Sequence, residues 1–297
     1  MLSGDILGAA LAILAALFLG SRIIVIRKAT VEGNSSHAVM SSIWISVLFF
    51  LPAALFLHYP NFQITWTSLV SFVIAGLVGF SLGLAFYYEG TRKVGASRAV
   101  PITRGNMIVA SVLAVIFLGE GVTGGHILGI VLLVLGVGLV NYEMEAGGGS
   151  NTLQSSRDLL FPIAAMLCFG LLAFFSKVGL GQGTPVTVGL SVSFVSALMG
   201  AGGMFMIRGK SPLAPFHTDQ KYMYVAAAVF YSLSNICYYS ALAVSRIVVT
   251  VPLRSISPLF VLALSYVFLR DLEDLTRLLV LGSVLVVSGA VMVGLFM

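Results

Sequence analysis

The chain has 297 residues, 59% of them hydrophobic and only 9% charged, with a formal net charge of +5 and a mean hydropathy of +1.05. Soluble globular domains carry about 25% charged residues, so this composition excludes a water-soluble domain and makes lipid the solvent for most of the chain. The basic balance does not point to nucleic acid, because the Lys and Arg residues fall between apolar blocks, where they act as topology signals, and no basic run with interleaved aromatics occurs.

A helix needs about 20 apolar residues to cross about 30 Å of hydrocarbon. Blocks of that kind are expected over residues 5–27, 36–57, 66–90, 97–118, 122–142, 158–179, 186–207, 221–243, 248–269 and 276–296. The first has Asp5 ahead of its apolar run and Arg22, Arg27 and Lys28 at or beyond its far end. That is the reverse of a secretory signal, so it reads as a retained first helix. The blocks are continuous and about twice the length of the alternating segments of a membrane β-barrel. The expected fold is therefore an all-α membrane protein of ten transmembrane helices. Residues 145–156, EAGGGSNTLQSS, are polar and rich in Gly and Ser, and read as a flexible linker near the midpoint.

The two sides of this linker repeat each other. A shift of 151 places Tyr87-Tyr88 on Tyr238-Tyr239, Val100-Pro101 on Val251-Pro252, Phe117-Leu118 on Phe268-Leu269 and Glu120 on Asp271. Two more residues place Glu120, Thr123, Gly129 and Gly136 on Glu273, Thr276, Gly282 and Gly289, and a shift of 150 places Gly20, Arg27 and Gly33 on Gly170, Lys177 and Gly183. Residues 1–145 and 157–297 then form two five-helix repeats joined by the linker 146–156. Five is odd, so the second copy enters from the opposite face and the repeats are inverted. The alternate loops that carry Arg27, Lys28, Arg92, Lys93, Arg98, Arg157, Arg208, Lys210, Lys221, Arg270 and Arg277 share one side, against Lys177 and Arg246 on the other. The positive-inside rule puts the first side in the cytoplasm and both termini outside it.

The segments SRAVPITRGNMIVASVLAVIFLGEGVTGGHILGIVLLVLGVGLV and SRIVVTVPLRSISPLFVLALSYVFLRDLEDLTRLLVLGSVLVVSGAVMV resemble the EamA family of the drug/metabolite transporter superfamily. The family repeat ends in a proline, an apolar run, an acid and a glycine-bearing last helix. Pro258 and Asp271 fit that pattern in the second half. In the first, Met107 replaces the proline and Glu120 keeps register. The resemblance implies a ten-helix carrier for small metabolites, amino acids or drugs. Its cavity would lie between helices one, three and four and their counterparts six, eight and nine, with helices five and ten packed aside.

Arg104 and Arg254 lie inside apolar blocks just after Pro101 and Pro252. A charge there costs about 3 kcal/mol on insertion scales, so each is expected to face a cavity or to snorkel. In a cavity they would clamp a carboxylate or phosphate. Arg22, nearer a helix end, reads as snorkelling. Pro101 and Pro252 are candidate gating positions, because proline lacks a donor and disturbs the preceding turn. Tyr87, Tyr238, Asn235, Asn106 and Ser257 are candidate substrate contacts, with helix-to-helix bonding as the plainer role. The paired glycines 129 and 136, and 282 and 289, each mark one helix face for close packing. Glu120, Asp271 and Glu273 stand where acids cap helix starts.

No enzyme signature is complete. The stretch from Gly203 to Ser211 has one residue too many for a phosphate loop, no HExxH or GxSxG occurs, and Cys168 and Cys237 lack metal-ligand spacing. No cofactor is expected. The sequon at Asn34 falls on the cytoplasmic side in this topology. The function expected is a multi-pass cell-membrane permease moving a small organic metabolite, anionic or amino-acid-like, by alternating access, with the lipid bilayer and its substrate as partners. A receptor or scaffold that binds without transport is the alternative.

Overall fold

The structure, a computed structural model, describes residues 2–30, 35–145, 156–209, 211–268 and 277–296. The linker 146–155, Asn34, Asp271, Glu273 and Thr276 lie outside the described residues. In chain order the helices are α1 (Leu2–Thr30), α2 (Ser35–His58), α3 (Trp66–Ile74), α4 (Leu84–Val94), α5 (Ala96–Arg104), α6 (Asn106–Leu118), α7 (Gly124–Glu145), α8 (Leu160–Gly181), α9 (Val186–Ile207), α10 (Lys221–Val244), α11 (Ile247–Arg254), α12 (Ser257–Phe268) and α13 (Arg277–Leu295). No strand occurs among the described residues. In hydrocarbon a helix satisfies its own N–H and C=O groups locally, and even β-branched sequences adopt it there.

These helices make ten crossings. Helices α3 and α4 form one rod through a π-helical segment, Ala75–Gly83, and α5–α6 and α11–α12 are each one crossing broken in the middle. Eight crossings are long, apolar spans; the other two are the shorter apolar stretches Gly124–Val140 and Val280–Leu295. The sequence did not foretell the π segment. It coincides with glycines pressed against the other half: a Cβ on Gly76 would lie 2.1 Å from the Ser193 carbonyl oxygen, and one on Gly79 2.5 Å from the Leu172 Cβ.

Contacts between the halves are exchanged in pairs. Helix α1 packs on α10, and its counterpart α8 packs on the α3–α4 rod. Helix α6 meets α8 as α12 meets α1, while α2 meets its own counterpart α9 and α7 its counterpart α13. Such reciprocity is the mark of a twofold relation, and five crossings per half make the repeats inverted. Serines stitch the interface: Ser46 and Ser232 hydroxyls lie 2.9 Å apart, Ser191 donates to the Phe50 carbonyl at 2.7 Å, and Ser234 to the Ala15 carbonyl at 2.8 Å. Phe80 and Phe194 stack at 4.6 Å in the core. The outer surface exposes side chains such as Phe49, Phe56, Ile116 and Val287, the covering expected against lipid tails.

The glycine faces of α7 and α13 meet each other. A Cβ on Gly136 would lie 2.6 Å from the Val286 nitrogen and 2.8 Å from the Gly282 oxygen, while one on Gly289 would lie 2.7 Å from the Gly129 oxygen. Glu120 also bridges the halves. Its two carboxylate oxygens accept from the backbone nitrogens of Ile247 and Val248 at 2.9 and 3.1 Å. It therefore caps α11, not the helix that follows it in sequence. Lys177 does the converse at the end of α10, donating to the carbonyls of Leu242 and Ser245, both at 2.6 Å, where a cation suits the helix dipole.

Two outcomes follow. Gly136→Val is expected to lower the thermal midpoint of purified protein, with overpacking costing about 1–3 kcal/mol, while Gly138→Ala, whose Cβ meets only Pro101 at 3.6 Å, leaves it unchanged. Glu120→Ala is expected to cost about 1 kcal/mol through the lost cap, read as a lower midpoint in the same assay.

Candidate functional site

The broken crossings place the charged side chains. Pro101 and Pro252 sit inside α5 and α11, and each helix continues past its proline to end at Arg104 or Arg254. The break comes after the prolines, not in the turn before them as the sequence led us to expect. In the second half its cause is Pro258, which has no N–H for the Arg254 carbonyl and opens α12 as an early helical residue. In the first half Met107 stands in that place and Gly105 makes the turn, with its N–H donating to the Ile102 carbonyl at 3.0 Å. Gly105 also admits α8: a Cβ there would lie 2.6 Å from the Met166 sulfur. Just before each break a hydroxyl bonds back along the helix, from Thr103 to the Ala99 carbonyl at 2.7 Å and from Ser255 to the Val251 carbonyl at 3.0 Å.

Three arginines converge between the halves. Arg22, only 8% exposed, lines a cavity of about 340 Å³ together with Arg104, Tyr87, Thr103 and Asn106. A deeper recess of about 150 Å³ adjoins it and is lined by Arg22, Arg104, Arg254, Asn106, Tyr231 and Tyr238. Among the described residues the lining of both contains no Asp or Glu. The Arg22 guanidinium lies 4.0 Å from the Tyr231 ring centroid and donates to the Ser42 hydroxyl at 3.3 Å. The Arg254 guanidinium lies 4.0 Å from the Tyr238 ring centroid and donates to the Asn235 amide oxygen at 3.4 Å. Asn235 is fixed in turn by donating to the Tyr231 carbonyl at 2.8 Å. Stacking and one neutral bond each hold these two guanidiniums without discharging them. The Nε atoms of Arg22 and Arg254 are buried without a partner.

The structure thus brings Arg104, Arg254, Asn106, Tyr87 and Tyr238 to one space. It sets Asn235 behind Arg254, fully buried. It places Ser257 in the packing of α12 against α1, where its carbonyl would lie 3.2 Å from a Cβ on Gly20 and its hydroxyl has no partner. Pro101 faces α7 at Gly138, and Pro252 is buried; neither lines the cavity. Sequence reading underweighted Arg22: nothing about a lone arginine near a helix end distinguishes snorkelling from a cavity position. Thr103, Tyr231 and Phe169 also line the space, and their types carry no signal in an apolar chain.

The repeat is symmetric in backbone but not in charge. At shift 151 Arg104 corresponds to Ser255, and Arg254 to Thr103; at shift 150 Arg22 corresponds to Leu172. None of the three cations has a cationic counterpart in the other half. The site therefore concentrates positive charge from α1, α5 and α11.

The two ends of the cavity differ. Toward the basic loops it widens into a vestibule of about 840 Å³ lined by Tyr88, Glu89, Arg92, Phe161 and Arg208, where Arg92 donates to Glu89 at 3.1 Å. On the other side the Asp5 carboxylate accepts from the Ser245 hydroxyl at 2.6 Å and pairs with Arg246 at 3.1 Å. Arg246 also donates to the Gly121 carbonyl at 3.4 Å. With the Glu120 and Lys177 contacts, these bonds tie the start of α1 to the α10–α11 and α6–α7 junctions.

No curated protein matches the chain. One solved crystal structure has a TM-score of 0.78 and covers 97% of this chain and 96% of its own, at 15% sequence identity; at that identity the likeness shows the fold alone. The model of the EamA-like transporter family matches residues 6–142 and again residues 157–295. With both halves matched on either side of the linker, this chain belongs to the EamA-like transporter family, a multi-pass membrane transporter of small molecules.

Proposed function

We propose that this protein is a permease that carries a small organic anion through the central cavity by alternating access. The observation that carries this reading is the cluster of Arg22, Arg104 and Arg254 in one buried space whose lining, among the described residues, has no carboxylate. Residues 1–145 and 157–297 act as the two moving repeats, joined by the linker 146–156. The basic-loop side faces the cytoplasm and both termini lie outside, following the charge bias. The described conformation then opens to the cytoplasm through the vestibule and is closed outside by the Asp5–Arg246 pair. Tyr87, Tyr238 and Asn106 orient the substrate, and Asn235 holds Arg254 in place. Pro101 and Pro252 sit beside the helix breaks that let the half-helices tilt as gates.

The same charge cluster sets the mode of transport. Occluding uncompensated guanidiniums away from water is costly, so the empty carrier reorients poorly and the loaded one well. Exchange of anion for anion is the expected mode. This reading assigns no catalytic step to the protein.

In proteoliposomes, efflux of a loaded radiolabelled organic acid is expected to rise at least about tenfold when unlabelled acid is present outside. Equal rates with and without external anion would exclude exchange, and binding without any flux would favour the receptor reading. Arg104→Gln is expected to cut that flux about tenfold or more while the protein stays monodisperse. For the closure, Asp5→Asn in a Cys168→Ser/Cys237→Ser background is expected to raise labelling of a Leu84→Cys reporter by an impermeant thiol reagent applied from the outside. Unchanged labelling would mean that the ion pair does not hold that side shut.

A further inference from the structure

We propose that the central site selects anions with two or more negative charges, dicarboxylates or phosphate monoesters, over zwitterionic amino acids. This narrows the ligand of the cavity and rests on reading that cavity as the substrate site. Three guanidiniums share the space, and among the described residues neither inner lining includes an acid. A single carboxylate, even gripped by both arms of one arginine, leaves two cations unmatched. Two negative charges leave one.

A zwitterion fares worse. Its ammonium group needs a carboxylate or an open aromatic face. Among the described residues no carboxylate lines the inner space, the Tyr231 and Tyr238 rings already carry the guanidiniums of Arg22 and Arg254 at 4.0 Å, and an ammonium over Tyr87, Tyr88 or Phe169 would sit beside three guanidiniums with no carboxylate to offset them. Each of those arginines spends one N–H on a neutral acceptor and keeps further guanidinium donors for oxyanion oxygens. Asn106 adds a neutral donor at the wall. The volumes of about 340 and 150 Å³ suit a metabolite of a few carbons. The cations are absent from the symmetry-related positions, which carry Leu172, Thr103 and Ser255. The charge is therefore a property of this site and not of the repeat.

The test is calorimetric titration of the full-length protein in phosphatidylcholine nanodiscs, with succinate, glycerol phosphate and inorganic phosphate as dianions. Succinamide and glycerol serve as neutral counterparts, and leucine and glutamine as zwitterions. At least one organic dianion is expected to bind about tenfold or more tightly than its neutral counterpart and than either amino acid. Arg104→Ala is expected to weaken that binding about tenfold, with Lys221→Ala, on the surface, as the unaffected control. If Arg104→Ala does not fold, Arg104→Lys serves, because it keeps the charge but loses the planar fork. An amino acid binding as tightly as the dianions would overturn the proposal. So would dianion competition seen only in phosphatidylglycerol discs, which would assign the site to lipid headgroups. Dianion binding without flux would keep this inference and remove the carrier reading. Flux of zwitterions alone would do the reverse.

Discussion

Inside hydrocarbon every backbone N–H and C=O must find a partner within the protein, and the architecture can be followed outward from that requirement. Continuous helices meet it alone, whether they line the cavity, as α1 and α10 do, or lie outside it. Interrupted helices meet it only where other chain segments surround them. The two interruptions, at Gly105 and at Ser255–Ile256, lie at the contact between the halves, and hydroxyls of Thr103 and Ser255 bond to carbonyls just before each break. The same requirement explains Glu120 and Lys177. Glu120 reaches into the other half to satisfy the start of α11, while Lys177 satisfies the end of α10 within its own half. Through Glu120 a helix start of the second repeat is completed by the first.

Close approach does the rest of the joining. Without a hydrophobic driving force between helices in lipid, association depends on packing and polar contacts. The α7–α13 seam uses glycine against glycine, and the π segment sets Gly76 and Gly79 against α9 and α8. Serines supply short interhelical hydrogen bonds deep in the core. The repeated scaffold is thus nearly symmetric, and the chemistry placed on it is not. Arg22, Arg104 and Arg254 all occupy positions whose counterparts are neutral, so the cavity lining is electrostatically one-sided.

Much of this was legible beforehand because hydropathy and length act locally. The ten blocks, the midpoint linker composition and the paired Tyr-Tyr and Val-Pro landmarks required no knowledge of contacts. Arg104 and Arg254 were also legible, since a charge in an apolar block must find a cavity or an interface. Arg22 carries the same signal but lies close enough to a helix end for snorkelling to compete. The helix breaks were misplaced for a related reason. Proline is a visible breaker, yet α5 and α11 run on past Pro101 and Pro252 in their second turns, whereas the interruptions come from Gly105 in one half and Pro258 in the other.

Sequence by itself determined that the chain spans a membrane many times, that it is a duplicated unit of odd crossing number, and which residue types bring charge into the bilayer. Those properties depend on composition and order along one dimension. Tertiary structure alone decided that three arginines from α1, α5 and α11 share one space, that Tyr231 and Tyr238 stack beneath two of them, and that Asp5 meets Arg246 at the far end. The partners are separated by many residues in the chain, and only helix packing across the two halves sets the distances on which electrostatics depends.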